Sequence, residues 1–202
     1  MAHKRRVPLR RKRSYRDIKE TFLIIFEGKN TEPIYFKSFQ LTNADVKTIT
    51  HAHEGNALSF VAEAIKTKKT EKDYDNYWIV IDKDENGDSD FNTAIKKAKD
   101  NGFNVAYSNQ AFEFWYILHF KCHIGLMHRK DYKKLLSKFL GFQYNKTRET
   151  CRKIYNALLP NQAQAIRNAE IVYEKIGDHS NIAREESSTT VHELVKSLNR
   201  FL

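Results

Sequence analysis

The sequence is poor in the residues that mark disulfide-stapled and loop-rich proteins. Its 202 residues include only two cysteines, three prolines and seven glycines. Cys122 and Cys151 are too few and too far apart for a disulfide framework, so we expect both to be reduced, buried side chains in a reducing cytoplasm. A long apolar run is also missing, as is the apolar core of a secretory signal. We therefore expect a cytoplasmic protein with no membrane partner.

Acidic residues are absent from the first sixteen positions, which contain eight Lys or Arg residues. The rest of the chain has 27 basic and 25 acidic residues, so most of the net charge of +10 belongs to this segment. We predict that residues 1–18 form a disordered basic arm that contacts nucleic acid. The candidate contacts are Arg5, Arg6, Arg10, Arg11, Lys12 and Arg13. A solubilising tail or a processed leader would have the same composition, and that alternative stays open.

Short apolar runs alternate with helical patterns through the first part of the chain. The predicted strands are residues 21–26, 46–52, 77–81 and 105–107. This alternation predicts an α/β core over residues 19–125, with a mostly parallel sheet of about four strands flanked by helices. Residues 126–202 show only helical patterns, which predicts a helical region packed on the core. Thr190 and Glu193 have the spacing of a capping box at the start of the last helix.

Acidic residues directly follow two of the predicted strands. Glu27 follows TFLIIF, and Asp82 and Asp84 follow NYWIVI. Parallel strands present their functional crevice at their carboxyl ends, and in extended backbone two residues two positions apart share one face. Because carboxylate oxygens suit hard divalent cations, these three residues predict a site for Mg²⁺ or Mn²⁺. Each acid taken singly is also explained as a turn residue or as a charge that stabilises a helix N-terminus.

A calcium loop is an alternative use of the same acids. DKDENG, which begins at Asp82, matches the first six positions of an EF-hand loop. The twelfth position is Thr93, where a bidentate Glu is needed, and a strand precedes the loop instead of a helix. We therefore exclude an EF-hand, whereas a looser calcium loop stays open.

A second basic patch precedes the helical pattern at residues 154–159. It contains Lys146, Arg148, Arg152 and Lys153. Arg148 and Arg152 are candidate contacts to a nucleic-acid backbone, although a solvated helix face explains the same charges.

Three segments together resemble the RloB-like proteins. They are EGKNTEPIYF (27–36), VIDKDE (80–85) and SNQAFEFWYILHF (108–120), with the basic arm before them and STTVHELVKSL (188–198) after them. RloB-like proteins are bacterial, are encoded beside restriction-modification and other phage-defence genes, and are regarded as divergent members of the Toprim superfamily. The resemblance extends over nearly the whole chain, so it implies a Toprim-like core. One departure lies at residues 109–111, where RloB-like proteins often have proline and this chain has NQA.

The resemblance also implies roles for particular residues. Toprim domains hold Mg²⁺ with one Glu and an Asp-x-Asp pair, which correspond here to Glu27 and to Asp82 and Asp84. Glu113, in FEFW, is the additional acid that the resemblance implies. The four acids are the expected catalytic set, with Glu27, Asp82 and Asp84 as metal ligands and Glu27 alternatively as general base.

The implied activity is metal-dependent hydrolysis of phosphodiester bonds in RNA, such as tRNA, or in DNA, as part of anti-phage defence or abortive infection. The alternative is a non-catalytic nucleic-acid-binding or effector subunit that works with an ATPase partner. A homo-oligomer is compatible with both functions.

Overall fold

A computed structural model describes residues 19–51, 55–71, 73–185 and 187–202. The arm residues predicted to contact nucleic acid, Arg5 to Arg13, lie outside the described residues. The strands are β1 (Glu20–Phe26), β2 (Ala44–Thr50), β3 (Asn76–Asp82), β4 (Asn104–Asn109) and β5 (Ser188–Thr189). The helices are α1 (Thr31–Lys37), α2 (Ala57–Thr70), α3 (Asp88–Asp100), α4 (Glu113–Leu118), α5 (Arg129–Leu140), α6 (Arg148–Leu158), α7 (Gln162–Ile176) and α8 (Val191–Asn199).

The five strands form one sheet in the order β2-β1-β3-β4-β5. Strands β1 to β4 are parallel to one another, and β5 runs antiparallel to β4. The prediction of an α/β fold with a mostly parallel sheet and a helical C-terminal half is therefore confirmed. The fifth strand was not predicted, because two residues are too few to show a periodic pattern.

Helices cover both faces of the sheet, which explains why β1 is apolar at successive positions. Phe22, Ile24 and Phe26 pack on one face, together with α1 and the helices α4 to α8. Leu23 and Ile25 pack on the other face, under α2 and α3. The helical C-terminal half thus shares one apolar core with α1 and one side of the sheet.

The start of α8 is fixed by the sheet and not by a capping box. The side chain of Thr190 makes no cap hydrogen bond. Its hydroxyl donates instead to the carbonyl oxygen of Val105 at 3.1 Å and accepts from the backbone N–H of Tyr107 at 3.0 Å. The capping-box prediction is therefore wrong, because the edge of β4 offers Thr190 two backbone partners that local sequence does not reveal.

The two cysteines are both free thiols. Cys151 is buried and Cys122 is half-buried. Within the described parts of the chain, the helices are all too short or too polar to cross a bilayer.

Candidate metal centre

Glu27 and Asp82 lie at the same edge of the sheet because their strands are parallel neighbours. Phe26 is paired with Val80, and Glu27 follows β1 directly. Asp82 is the last residue of β3. The structure therefore brings these two acids together at the carboxyl ends of the central strands.

Asp84 reaches the same place by a different backbone path from the one its spacing predicts. Its φ is 39°, in the left-handed region that Asp tolerates better than most residues, so the backbone is not extended there. The N–H of Asp84 donates to the carbonyl oxygen of Gln110 at 2.9 Å. The loop after β3 is thus held against the loop after β4, beside Glu27 and Asp82.

These acids line one cavity of about 280 Å³, here called the acid pocket. Its lining residues are Glu27, Gly28, Lys29, Asn30, Thr31, Glu32, Val80, Asp82, Asp84 and Lys146. Four of the ten are carboxylates, and three of those four were singled out from the sequence. The acid pocket is therefore a dense group of oxygen donors at the functional edge of the sheet.

Glu32 is the fourth carboxylate, and sequence reasoning missed it as a site residue. It lies in the first turn of α1, where an acid is ordinary, yet it is buried with its carboxylate directed back at Gly28. A Cβ atom at position 28 would stand 2.2 Å from Oε2 of Glu32. Gly28 is thus required for this close approach. The glycine between Glu27 and Glu32 in the sequence was the signal that could have pointed to Glu32.

Glu113 lies beside the acid pocket at the start of α4 and is buried. It accepts a hydrogen bond from the Tyr144 hydroxyl at 2.7 Å, and Nζ of Lys146 lies 2.8 Å from the same oxygen. The turn at residues 109–111, which departs from the family pattern, is tied down by Asn109, whose amide donates to the carbonyl oxygen of Ala183 at 2.8 Å.

Burial and mutual repulsion shift the pKa values of the acids upward. Burial and then the charge of Asp84 raise the pKa of Glu27 to about 7. A hydrogen bond from the backbone N–H of Asp82 lowers this pKa and offsets part of the rise. Burial also raises the pKa of Glu32 to about 7, with the charge of Glu113 adding to the shift. Burial and then the charges of Glu32, Asp84 and Glu113 raise the pKa of Asp82 well above its ordinary range. The charged forms of these carboxyl groups are therefore disfavoured, first by burial and then by one another.

The donor set fits a divalent cation. One carboxylate oxygen of Asp82 accepts from the Phe112 N–H at 3.0 Å, whereas the other is buried without a hydrogen-bond partner. A buried, unpaired carboxylate oxygen among other acids is the chemistry that a hard cation satisfies. Glu27, Glu32, Asp82 and Asp84 are the residues that could hold such an ion.

Two cations from the C-terminal half already contact the acids. Arg129, at the start of α5, pairs with Asp84 at 2.5 Å and also with Glu85. Lys146 pairs with Glu113. With the side chains in these positions, no three Asp, Glu, His or Cys residues of the described chain surround a single point closely enough to hold a metal ion. Metal binding would thus require the carboxylates to draw together, with Asp84 released from Arg129.

Comparison with known families adds to this geometry. A family model described as "RloB-like protein" matches residues 22–198. This chain belongs to the RloB-like family. The match includes Glu27, Asp82, Asp84 and Glu113. The chain matches no curated protein and no solved structure.

The loop after β3 in this RloB-like chain is not arranged as a calcium loop. The side-chain oxygen of Asn86, the fifth position of the EF-hand pattern, accepts from the Ala57 N–H at 2.8 Å. Asp88 pairs with Lys83 at 3.3 Å and with Arg184 at 3.3 Å. These side chains fix the starts of α2 and α3, so they are used for structure.

The second basic patch of the RloB-like chain divides in two. Lys146 lines the acid pocket, but Arg148 and Arg152 are exposed on the first turns of α6 and do not line it. Lys153 pairs with Glu149 at 2.7 Å on the same helix. Arg129 was not singled out at all, because its contact with Asp84 depends on where α5 docks.

Proposed function

We propose that this RloB-like chain is a nuclease that hydrolyses phosphodiester bonds with Mg²⁺ or Mn²⁺. The observation that carries the proposal is the acid pocket, in which four carboxylates line one cavity at the carboxyl ends of adjacent parallel strands. Asp82, with its unpaired buried oxygen, lies at the end of the central strand β3. Carboxylates in this position are the usual protein ligands for metal-assisted phosphoryl chemistry.

Each residue has a role that its surroundings support. Asp82 and Asp84 are the proposed ligands, with Glu32 as an additional oxygen donor. Glu27 has a pKa of about 7 and can act as a ligand or as the base that takes a proton from water at neutral pH. Lys146 faces the acids with its positive charge and is placed to neutralise a phosphate oxygen.

Hydrolysis would join the oxygen of a water molecule to phosphorus and break one phosphorus–oxygen ester bond. The proton of the attacking water passes to Glu27, and the departing oxygen takes a proton from solvent. When bound, a divalent cation neutralises the scissile phosphate and lowers the pKa of water. Glu113 supports this site by holding Lys146 beside it.

The biological setting is part of the proposal and is the one that the resemblance of the sequence implies. RNA such as tRNA, or DNA, is the proposed substrate, and defence against phage, by abortive infection, is the proposed context in the cytoplasm. A homo-oligomer is compatible with the same proposal.

A second candidate is a non-catalytic nucleic-acid-binding or effector subunit that works with an ATPase. The ion pairs of Asp84 with Arg129 and of Glu113 with Lys146 favour it, because they use the acids without a metal. Under this candidate the acid pocket is an internal electrostatic contact between the two halves of the chain.

Incubation of the purified chain with labelled single-stranded DNA, duplex DNA, total RNA and tRNA tests both candidates. Each polymer is incubated with Mg²⁺, with Mn²⁺ and with EDTA. We expect cleavage of at least one polymer with metal and none in EDTA. Glu27→Gln, purified in parallel, is expected to lose the activity, which separates it from a contaminating nuclease.

A cut that persists in Glu27→Gln would contradict the assignment of the acid pocket. Binding without cleavage of any polymer, with either metal, would favour the non-catalytic candidate.

A further inference from the structure

We propose that a basic cleft beside the acid pocket binds an unpaired nucleic-acid strand next to the phosphate that is cut. The inference rests on the proposed function and names the form of its substrate. The cleft is a cavity of about 370 Å³. Its lining residues are Asp84, Ala111, Glu113, Arg129, Lys130, Tyr132, Lys133, Tyr144, Asn145 and Lys146.

The basic cleft adjoins the acid pocket. Asp84 and Lys146 line both cavities, so they form the shared wall. A chain that fills the cleft and passes this wall arrives at Glu27 and Asp82. The two cavities can therefore hold consecutive parts of one polymer.

The charge of the basic cleft suits phosphate groups. Arg129, Lys130, Lys133 and Lys146 lie on its walls. Arg129 and Lys146 are paired with acids, whereas Lys130 and Lys133 are exposed and have no salt-bridge partner within the described residues. Two unpaired ammonium groups one helical turn apart, at the entrance of a cavity that leads to carboxylates, would hold phosphates adjacent to the scissile one.

The floor of the basic cleft is less polar than its rim. Ala111, Tyr132 and Tyr144 line it and are buried. The hydroxyl of Tyr144 donates to Glu113, and the hydroxyl of Tyr132 is enclosed away from solvent. A floor with aromatic side chains under a cationic rim suits a base below and a phosphate above.

The acids lie deep in the cavity, which favours binding of an unpaired strand over a duplex. Asp82 is 9% exposed and Glu113 is 3% exposed, so a phosphate must enter the cavity to approach them. A cavity of about 370 Å³ is in the size range of a small-molecule site, so it holds about one nucleotide. A base inside it must leave its neighbours, which in a duplex means breaking a base pair and two stacking contacts and in a single strand costs much less.

Binding measured without metal tests this inference independently of cleavage. A labelled single-stranded oligonucleotide, as DNA and as RNA, is titrated with the full chain in EDTA, alone and annealed to its complement. The test variant is Lys130→Ala/Lys133→Ala. The matched control is Lys66→Ala/Lys69→Ala, which removes the same charge at the same spacing from exposed positions of α2, on the other side of the sheet.

We expect the wild type to bind the single strand about tenfold or more tighter than the duplex, because only the single strand places a base in the cleft without unpairing it. We expect Lys130→Ala/Lys133→Ala to weaken single-strand binding about tenfold and to reduce the slope of log K against log salt by about 1.4, for two lost phosphate contacts. The control should change affinity less than about twofold, since its lysines lie away from the cleft.

Equal weakening in both double variants would overturn the inference, as would equal affinity for duplex and single strand or no binding at all. Cleft-dependent binding by a chain that cuts nothing would instead contradict the nuclease proposal and leave this inference standing.

Discussion

The two halves of the molecule supply opposite charges to one place. The acids come from the α/β half, at the ends of strands or the starts of the helices that follow them, and they are mostly buried. The cations that pair with these acids come from the helical half: Arg129 at the start of α5 and Lys146 in the loop before α6. Neither half holds a complete site, so the function depends on how the helices dock.

The difference in burial decides which charge remains unbalanced. The side chain of Lys146 is 62% exposed, whereas that of its partner Glu113 is 4% exposed. Lys146 is a single, partly exposed ammonium group facing several buried carboxylates, so it cannot offset the burial of all of them. The raised pKa values of Glu27, Glu32 and Asp82 are the result. The carboxylates of the α/β half should therefore bind protons or a metal ion, because the cations of the helical half do not balance their charge.

Asp82→Asn tests the acids of the α/β half most directly, and we expect it to have the largest effect on cleavage. Loss of residues that merely support a metal ligand costs about 10- to 100-fold, so loss of this ligand should lower cleavage about 100-fold or more. Asn retains an acceptor for the Phe112 N–H but removes a buried charge. In EDTA we expect a higher melting temperature, by about 2–4 °C for each kcal/mol gained.

Asp100→Asn is the control, because that carboxylate is exposed and its only ion pair among the described residues is with Lys96 on the same helix. It should leave both activity and melting temperature nearly unchanged. A less stable Asp82→Asn protein would show that the carboxylate contributes to the fold and not primarily to a metal site.

The pH dependence of metal binding gives a second test of the difference between the acids of the α/β half and the cations of the helical half. Glu27 and Glu32 have ordinary pKa values of 4.5 and folded values of about 7. The folded chain thus binds more protons than the unfolded chain between those values, so the metal-free protein should lose stability as the pH rises through this range. A metal ion competes with the same protons, so Mg²⁺ or Mn²⁺ affinity should rise about tenfold or more from about pH 6 to about pH 8.

Calorimetric titration and melting curves with Mg²⁺ and with EDTA at both pH values measure this effect. The stabilisation by metal should be larger at the higher pH and absent from Asp82→Asn. Metal affinity that does not change with pH would show that these carboxyls are not ligands.

Lys146→Ala tests the contribution of the helical half and is expected to have the smallest effect. Burial lowers the pKa of this lysine, but the charges of Glu113, Asp82 and Glu32 raise it more, so the side chain stays cationic. Its loss removes a charge that faces the scissile phosphate, so kcat/KM should fall about tenfold. The protein should also lose stability, because the buried Glu113 carboxylate keeps the Tyr144 hydroxyl but loses its cation.

Lys153→Ala is the matched control, since it removes an exposed lysine that pairs with Glu149 away from the pocket. If both variants cleave equally well, Lys146 balances Glu113 and does not serve the reaction.

The strand-end acids were predictable because their positions follow from local pattern. An apolar run followed by an acid fixes both the strand and its end, and parallel neighbours then bring Glu27 and Asp82 together. The path of the chain to Asp84 was not predictable, since its left-handed backbone depends on a hydrogen bond to Gln110. Glu32 was missed because a helical pattern shows which face is apolar but not which acid the fold buries.

The predicted nucleic-acid contacts also separate what local sequence reveals from what tertiary packing decides. Arg148 and Arg152 were chosen from charge clustering, which identifies a solvated helix face as readily as a binding surface. The structure places them outside both cavities and puts Arg129, Lys130 and Lys133 at the cleft instead. Contacts across 45 residues, as between Asp84 and Arg129, are set by helix docking and leave no mark in local sequence.

The sequence by itself determined the α/β class, the parallel sheet and the edge at which the acids gather, because hydrophobic period and strand polarity are local properties. Only the tertiary structure decided which acids are buried together, which cations face them and where a cleft adjoins them. Those features depend on the packing of α5 and the α5–α6 loop against the sheet, and packing is a property of surfaces that the chain brings together only when it folds.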